Sequence, residues 1–261
     1  PIPSSSIFLT KLASVYLAGG CVKCCSSSNF FKSKLSLRFR IGRSLSSSLS
    51  LEVVFSSKLS LYTFKNPGKA IIMVKNKIRK SLLRQGQLLS ESDIEKLNHN
   101  IQKNVLNEID VKSSKNTLLY FPYKNEIAID QILSELRKHS YKLFMPKIVS
   151  KNKLRFNIYK DGESLKKNKY GIKEAVNENY IDPKMLNTMF IPFVGVDKNG
   201  YRLGYGGGFF DRTLEKLKSE KDRPLFVGLG YDFQILDKCF GRSHDIKYDV
   251  VITESRVLSY D

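Results

Sequence analysis

Apolar residues recur every three or four positions in the segment that begins near residue 74. After Ser90 they form one continuous stripe, made of Ile94, Leu97, Ile101, Val105 and Ile109. This spacing places apolar side chains on one face of an α-helix, and a serine before it is a favoured N-cap. The pattern therefore predicts two successive helices, one at 74–87 and one that begins after Ser90.

Beyond residue 110 the pattern changes to short apolar runs separated by helical spacing. The runs at 117–121 and 141–145 predict strands, the second ending at Pro146, and the segment 127–137 between them predicts a helix. This order implies two parallel strands with a right-handed crossover. Ligands of such sheets gather beyond the carboxyl ends of the strands, which is where residues 121–126 fall. Further strands are predicted at 154–159, 189–196 and 224–230, with a short helix starting at Asp182-Pro183.

The stretch 189–216 combines a strand, a turn, a glycine loop and a predicted helix at 209–220. Glycines let backbone N–H groups approach phosphate oxygens, and a helix N-terminus adds partial positive charge. Arg202 can supply a forked donor and Asp211 a hard oxygen ligand for a Mg²⁺ that bridges phosphates. The loop matches neither a Walker A loop nor a dinucleotide fingerprint. For the glycines alone a flexible surface turn is the better explanation, and it is Arg202 before them and the Phe-Phe-Asp-Arg run at 209–212 after them that favour a phosphate loop.

The ordered string RLGYGGGFFDR, residues 202–212, resembles the signature of the 5-formyltetrahydrofolate cyclo-ligase family. The resemblance continues from about Val74 to the last residue. It implies a three-layer, Rossmann-like α/β fold with an open, mostly parallel sheet flanked by helices, as in sugar-phosphate isomerases and CoA transferases. It also implies an ATP-dependent, Mg²⁺-assisted ligase of one-carbon metabolism, which converts 5-formyltetrahydrofolate to 5,10-methenyltetrahydrofolate with release of ADP and phosphate.

The same resemblance implies roles for particular residues. Catalytic cations would be Lys75, Arg79 and Arg202, and the Mg²⁺ ligands would be Asp211 and Asp245. The folate would contact Phe121, Glu126, Tyr205 and Phe209. The nucleotide would contact two segments: Lys75, Asn76, Lys77, Ile78 and Arg79, and Arg202, Leu203, Gly204, Tyr205, Gly206, Gly207, Gly208, Phe209 and Phe210. Many relatives have a lysine at the position of Gly207, so loop amides and Arg202 would carry that charge here.

Charge and composition set residues 1–72 apart from the rest. The net charge is +19, and this segment holds ten Lys and Arg residues against one acid, Glu52. It is Ser-rich and lacks sustained periodicity, which predicts a low-complexity, largely disordered leader ahead of a single α/β domain at 73–261. An organellar transit peptide, a signal peptide on 7–18, and upstream translated sequence before Met73 all remain open. The enzyme is expected in the cytoplasm, or in mitochondrion or plastid if the leader is a transit peptide.

Composition leaves rival functions open. An isomerase or CoA-transferase-like enzyme would share the architecture but need neither ATP nor Mg²⁺. The charge and the GYGGGFF string also suggest RNA binding, although the aromatic alternation of an RNA-binding sheet is missing. A binding-only relative is a third alternative. No stretch of 18 apolar residues occurs, so we expect no membrane span. We also expect no obligate nucleic-acid partner, and a monomer or weak homo-oligomer.

Overall fold

The computed structural model describes residues 71–110, 114–139, 141–151 and 153–260. It describes the backbone alone at 38–43, 49–54, 62–64 and 67–70. Contacts divide the chain into two compact units, Pro1–Val74 and Lys75–Asp261.

The first unit contains one antiparallel sheet in the order β1-β2-β3. Its strands are β1 (Arg38–Arg43), β2 (Leu49–Val54) and β3 (Tyr62–Phe64). They fall in the range predicted to be a disordered leader, as does the start of the helix Pro67–Gly86, and the other residues of that range lie outside the described residues. The leader and the domain boundary at residue 73 stay predictions.

Four α-helices follow in the described residues, and their observed start and end positions refine those predicted from the apolar periodicity. They are α1 (Pro67–Gly86), α2 (Glu91–Glu108), α3 (Asp130–Lys138) and α4 (Phe209–Thr213). Ser90 caps α2 as predicted, since its hydroxyl accepts the backbone N–H of Asp93 at 3.1 Å. Helix α1 begins earlier than predicted, at a proline, a residue favoured in the first helical turn because it lacks an N–H group.

An eight-stranded sheet forms the centre of the second unit, in the order β15-β14-β13-β10-β4-β5-β6-β9. Its strands are β4 (Asn116–Leu118), β5 (Lys142–Ser150), β6 (Lys153–Tyr159), β9 (Tyr180–Ile181), β10 (Thr188–Phe190), β13 (Leu225–Leu229), β14 (Val250–Ile252) and β15 (Val257–Ser259). The five central strands are parallel, and the strands at both edges pair antiparallel. Two hairpins extend from it: β7 (Leu165–Lys167) with β8 (Lys173–Ala175), and β11 (Gly195–Val196) with β12 (Arg202–Leu203).

Apolar clusters cover both faces of this sheet. On one face Ile101 of α2 and Ile132 of α3 are fully buried in a cluster with Leu119. On the other face Phe210 and Leu214 pack in a cluster that contains Phe226 of β13. Burial on both faces explains why the parallel strands read as continuous apolar runs. The predicted three-layer α/β architecture is confirmed.

The single strand predicted at 189–196 is wrong. Strand β10 ends at Phe190, and β11 begins only at Gly195, in a separate hairpin. Pro192 lies between them and cannot donate to a strand ladder. Its carbonyl instead accepts a hydrogen bond from Arg202 Nε at 2.8 Å. The break thus turns the chain out of the sheet and towards the glycine loop.

The strand predicted to end at Pro146 instead runs on to Ser150. Strand β4 pairs with β5 only as far as Phe144, whereas β6 pairs across Pro146 to Ser150. Proline is tolerated in a strand that has a neighbour on one side only, because the missing N–H then breaks no ladder.

The helix predicted at 209–220 is also wrong in length. Helix α4 ends at Thr213, and a 3-10 turn follows at Leu217–Ser219. The hydroxyl of Thr213 accepts the backbone N–H of Leu154 at 2.9 Å, and Leu214 and Leu217 are both buried. This anchoring to β6 favours two short turns over one straight helix. A phosphate bound at the predicted site would therefore meet loop amides rather than the dipole of a long helix.

Candidate active site

The glycine loop, residues 204–208, follows β12 and turns with left-handed backbone at two points. Gly206 has φ of 107° and Gly208 has φ of 63°. Side-chain-bearing residues rarely adopt these values, so glycine is required for this path. A Cβ atom built on Gly206 would lie 3.6 Å from Arg79 Cζ, in van der Waals contact. The loop and the guanidinium of Arg79 are therefore close neighbours.

Arg79 joins helix α1 to the glycine loop. Its Nε donates to the carbonyl of Gly204 at 2.7 Å, and its Nη1 donates to Asn76 Oδ1 at 2.5 Å. Burial, followed by the nearby positive charge of Arg202, lowers the pKa of Arg79. Two guanidinium groups that repel each other beside exposed loop amides favour an anion between them.

Arg202 is buried and holds the start of the loop against α4. Its Nη1 donates to Asp211 Oδ2 at 3.1 Å, and the other oxygen of Asp211 accepts the backbone N–H of Ile246 at 3.1 Å. Burial is the largest single influence on Arg202 and opposes its charge, but the Asp211 carboxylate, Tyr248 and Glu126 together outweigh it and raise the pKa of Arg202. Asp211 thus connects the loop helix to the segment that contains Asp245.

Lys75 on α1 contacts Asp245. Their Nζ and Oδ2 atoms are 2.5 Å apart, and both side chains are only 12% exposed. The same oxygen of Asp245 accepts the backbone N–H of Arg242 at 2.7 Å. Together these contacts bring two acids predicted to bind metal, Asp211 and Asp245, onto neighbouring segments.

Asp197, which sequence reasoning assigned only to a turn, holds these segments in place. It is fully buried, and its Oδ1 accepts the backbone N–H groups of Asn199 and Tyr201 at 2.9 Å. Its Oδ2 accepts those of Phe240 and Gly241 at 3.0 and 2.8 Å. One carboxylate therefore joins the turn before the glycine loop to the chain leading to Asp245.

Glu126 lies in the loop beyond the carboxyl end of β4. Its Oε2 accepts the backbone N–H of Tyr123 at 2.9 Å. Burial raises the pKa of Glu126 to about 8, although the Tyr123 amide and the charge of Arg202 act in the opposite direction. A carboxyl group with such a pKa can donate or accept a proton near neutral pH.

The remaining predicted nucleotide and folate residues divide by environment. Leu203 and Phe210 are in the core, with Phe210 stacked 6.4 Å from Phe156, so only their backbone is available to a ligand. Asn76, Lys77 and Gly207 are exposed, and Ile78 is partly buried. Phe121 packs edge-on against Tyr159 at 5.4 Å, and Phe209 meets Tyr170 at 6.2 Å. Their predicted roles stay predictions.

The sequence did not identify Tyr123, Lys124 or Tyr248 as residues of the candidate site. The hydroxyl of Tyr205 donates to the Tyr123 carbonyl at 3.2 Å, and Lys124 stands over both rings. Tyr248 is fully buried, and its hydroxyl donates to the carbonyl of Ile191 at 2.7 Å. The position of Tyr123 three residues before Glu126 was a usable signal. The position of Tyr248 in the sequence gave no such signal, because only the fold brings it close to Arg202.

Asp211 and Asp245 fit a Mg²⁺ site completed by phosphate and water. Mg²⁺ in nucleotide enzymes is commonly held by one or two carboxylates plus phosphate oxygens. Among the described residues no group of three or more His, Cys, Asp or Glu side chains could hold a metal ion. Each of the two carboxylates also lies beside a cation, Arg202 or Lys75, where phosphate would bind.

The family model of the 5-formyltetrahydrofolate cyclo-ligase family matches residues 71–254. The chain belongs to the 5-formyltetrahydrofolate cyclo-ligase family. That match spans α1, the glycine loop and the Asp245 segment. Every side chain of the candidate site described above therefore lies inside it.

Curated and solved relatives carry the same family names. A 5-formyltetrahydrofolate cyclo-ligase of Haemophilus influenzae is 31% identical over 157 residues, 58% of this chain and 83% of that protein. The NMR structure of a 5,10-methenyltetrahydrofolate synthetase from Aquifex aeolicus matches with a TM-score of 0.63 at 30% identity, covering 71% of this chain and 92% of the other. The corresponding Mycoplasma pneumoniae structure has a TM-score of 0.57 at 27% identity, covering 69% and 99%.

Proposed function

We propose that this chain converts 5-formyltetrahydrofolate to 5,10-methenyltetrahydrofolate, using ATP and releasing ADP and phosphate. Its membership of the cyclo-ligase family supports this reaction. The observation that best supports it is the convergence of Arg79 and Arg202 on one glycine loop, with Asp211 and Asp245 on adjoining segments. This arrangement suits a triphosphate tail with its metal ion.

The chemistry requires the formyl oxygen to become a good leaving group. In the proposed first step that oxygen attacks the γ-phosphorus, the bond to the β,γ-bridging oxygen breaks, and ADP leaves. In the second step N10 attacks the activated carbon, loses its proton, and the C–O bond breaks to release phosphate. The protein forms no covalent bond in either step, so it must hold the reactants in line and neutralise charge.

Lys75, Arg79 and Arg202 are the side chains that would neutralise the phosphates, together with the loop amides. Asp211 and Asp245 would hold Mg²⁺, which neutralises developing charge on the phosphate oxygens when bound. Glu126 would bind the folate. With its raised pKa it can present a protonated carboxyl at neutral pH and so donate a hydrogen bond to the ring system.

Turnover tests the proposal directly. The purified chain is mixed with 5-formyltetrahydrofolate and MgATP, and formation of the methenyl product is followed by its near-ultraviolet absorbance. Product should form with ATP and not without it. Asp211→Asn should lower kcat by on the order of 100-fold, whereas Asp237→Asn, whose side chain is 89% exposed, should not. Absence of ATP-dependent product from wild-type protein would reject the reaction.

We further propose a monomer or weak homo-oligomer that needs no nucleic acid and acts in the cytoplasm, unless 1–72 directs it to an organelle. No helix in the described residues is long and apolar enough to cross a membrane. The acid-poor composition of 1–72 supports the organellar alternative. Fusing 1–72 to a fluorescent protein separates the two locations, and light scattering after size exclusion gives the mass in solution.

A further inference from the structure

Two loops from distant parts of the chain touch at one point outside the phosphate contacts. Tyr205 belongs to the glycine loop, and Tyr123 belongs to the loop that carries Glu126. The Tyr205 hydroxyl donates to the Tyr123 carbonyl at 3.2 Å. Their rings meet edge-on, with centroids 5.5 Å apart and planes at 67°. An aromatic contact in this geometry is attractive beyond the apolar area it buries.

Lys124 adds a second link at the same point. Its ammonium lies 5.0 Å from the ring centroid of Tyr123 and 5.8 Å from that of Tyr205, within the range of cation–π attraction. In the described part of the chain it is the one non-glycine residue with positive φ, at 54°. A side-chain-bearing residue keeps this unfavourable backbone only where its surroundings hold it. The two-ring contact is such a constraint.

The link extends to Glu126, whose carboxyl group is proposed to bind folate. The residue whose carbonyl accepts from Tyr205 is the same one whose N–H donates to Glu126 at 2.9 Å. Burial, and then the nearby Glu126, raises the pKa of Tyr205, so its hydroxyl stays a donor. A continuous series of contacts therefore runs from Tyr205 through Tyr123 to Glu126. No phosphate contact is part of it.

We propose that Tyr205 and Lys124 are positioning residues that couple the two substrates, so that each binds more tightly when the other is present. The inference rests on the proposed function, because it assigns nucleotide to the glycine loop and folate to the Glu126 loop. Because the contact joins the two loops, a ligand that fixes one loop also restrains the other, and the second ligand then has less chain to fix. Coupling of this kind is reciprocal: each ligand must raise the affinity of the other by the same factor.

Calorimetry without turnover measures this factor. The affinity for the Mg²⁺ complex of β,γ-imido-ATP is determined with and without saturating 5-formyltetrahydrofolate, and the reverse titration checks reciprocity. Wild-type protein should show mutual tightening of about tenfold, within the usual range of coupling between sites. Tyr205→Phe keeps the ring and removes the donor, and should reduce the factor to about threefold or less.

Lys124→Asn provides an independent variant. Asparagine tolerates left-handed backbone better than most residues, so the loop path is kept while the ammonium is lost. The coupling factor should fall again. Tyr180→Phe, on edge strand β9 beside Arg155, is the matched control and should keep the wild-type factor. Thermal unfolding of each variant identifies any that fail to fold, and conclusions then rest on the other.

The outcomes separate this inference from the reaction itself. Loss of coupling in Tyr205→Phe or Lys124→Asn, with both ligands still bound, supports it. Wild-type protein that binds both ligands without mutual effect overturns it and leaves the reaction standing. Equal coupling in wild type and both variants overturns it as well. Failure of wild type to bind either ligand removes the proposed function and the coupling together.

Discussion

Lys75 Nζ and Asp245 Oδ2 are in direct contact at 2.5 Å although 170 positions separate them in the chain. A second contact of the same kind joins Arg202 to Asp211 at 3.1 Å. Each carboxylate proposed to hold Mg²⁺ thus lies against one cation proposed to hold phosphate. Replacing any one of the four leaves a partly buried partner uncompensated, so these residues affect stability as well as catalysis.

Lys75→Met should impair both properties. Loss of the ammonium weakens phosphate binding, and we expect the KM for ATP to rise about tenfold, equivalent to about 1.4 kcal/mol. It also leaves Asp245 without its cation, so the midpoint of thermal unfolding should fall. Steady-state kinetics and calorimetry measure the two effects. Lys80→Met changes an exposed lysine on the same helix and should change neither.

Arg202→Lys should destabilise the fold by on the order of 3 kcal/mol, as expected for a broken buried ion pair. Arginine reaches Pro192 O with Nε and Asp211 with Nη1, and a lysine ammonium cannot span both acceptors. Urea denaturation checks the loss. Arg155→Lys, on β6 beside Tyr180, is the comparison. Equal stability of both variants would contradict the bridging role of Arg202.

Glu126→Gln should flatten the pH dependence of stability between pH 4.5 and 8. With its pKa raised to about 8 from 4.5, wild-type Glu126 keeps its proton in the folded state where the unfolded chain loses it. That contribution is complete below pH 4.5 and is lost as pH rises through 8. Allowing for solvent at a partly exposed group, it is on the order of 2 kcal/mol.

Urea denaturation at unit steps from pH 4 to pH 9 measures that slope. Glu215→Gln, at an exposed position, should reproduce the wild-type curve. If Glu126→Gln and wild type keep parallel curves across the window, the raised pKa is wrong.

Gly206→Ala should weaken nucleotide binding about tenfold or more. Its φ of 107° is unfavourable for alanine, so the loop must shift where it passes Arg79. Gly162→Ala is a matched control, since Gly162 also has positive φ, at 72°, and has open space around its Cβ position. Both variants should lose stability of on the order of 1 kcal/mol, but only the first should lose affinity for the ATP analogue.

Periodicity predicted most elements because their apolar faces are continuous. The stripe from Ile94 to Ile109 lies in α2 and its C-cap, and the strand predicted at 224–230 is β13, Leu225–Leu229. The errors occurred where tertiary contacts decide. Pro146 looked like a strand end because the sequence does not show that β4 has already ended beside it. The helix after Gly208 stopped early because Thr213 bonds to Leu154, a contact that no local pattern shows.

The residue types of the candidate site could be predicted from the sequence, but the contacts between those residues could not. The order of residues 202–212 identified Arg202 and Asp211, which do meet. No spacing rule could pair Lys75 with Asp245 or Tyr205 with Tyr123, because these pairs depend on how the sheet orders its strands. Asp197 was assigned only to a turn, because the sequence does not show that its four backbone donors come from two distant segments.

The strand order of the central sheet also governs when the protein can become active during its synthesis. Strand β10 lies between β4, made much earlier, and β13, made later, and Asp245 follows β13 in the chain. The sheet cannot close on the ribosome until β10 and β13 have emerged. Until then the edge of β4 that pairs with β10 has no partner in the nascent chain. The candidate site, which includes Asp245, is therefore completed only after β13 has been made.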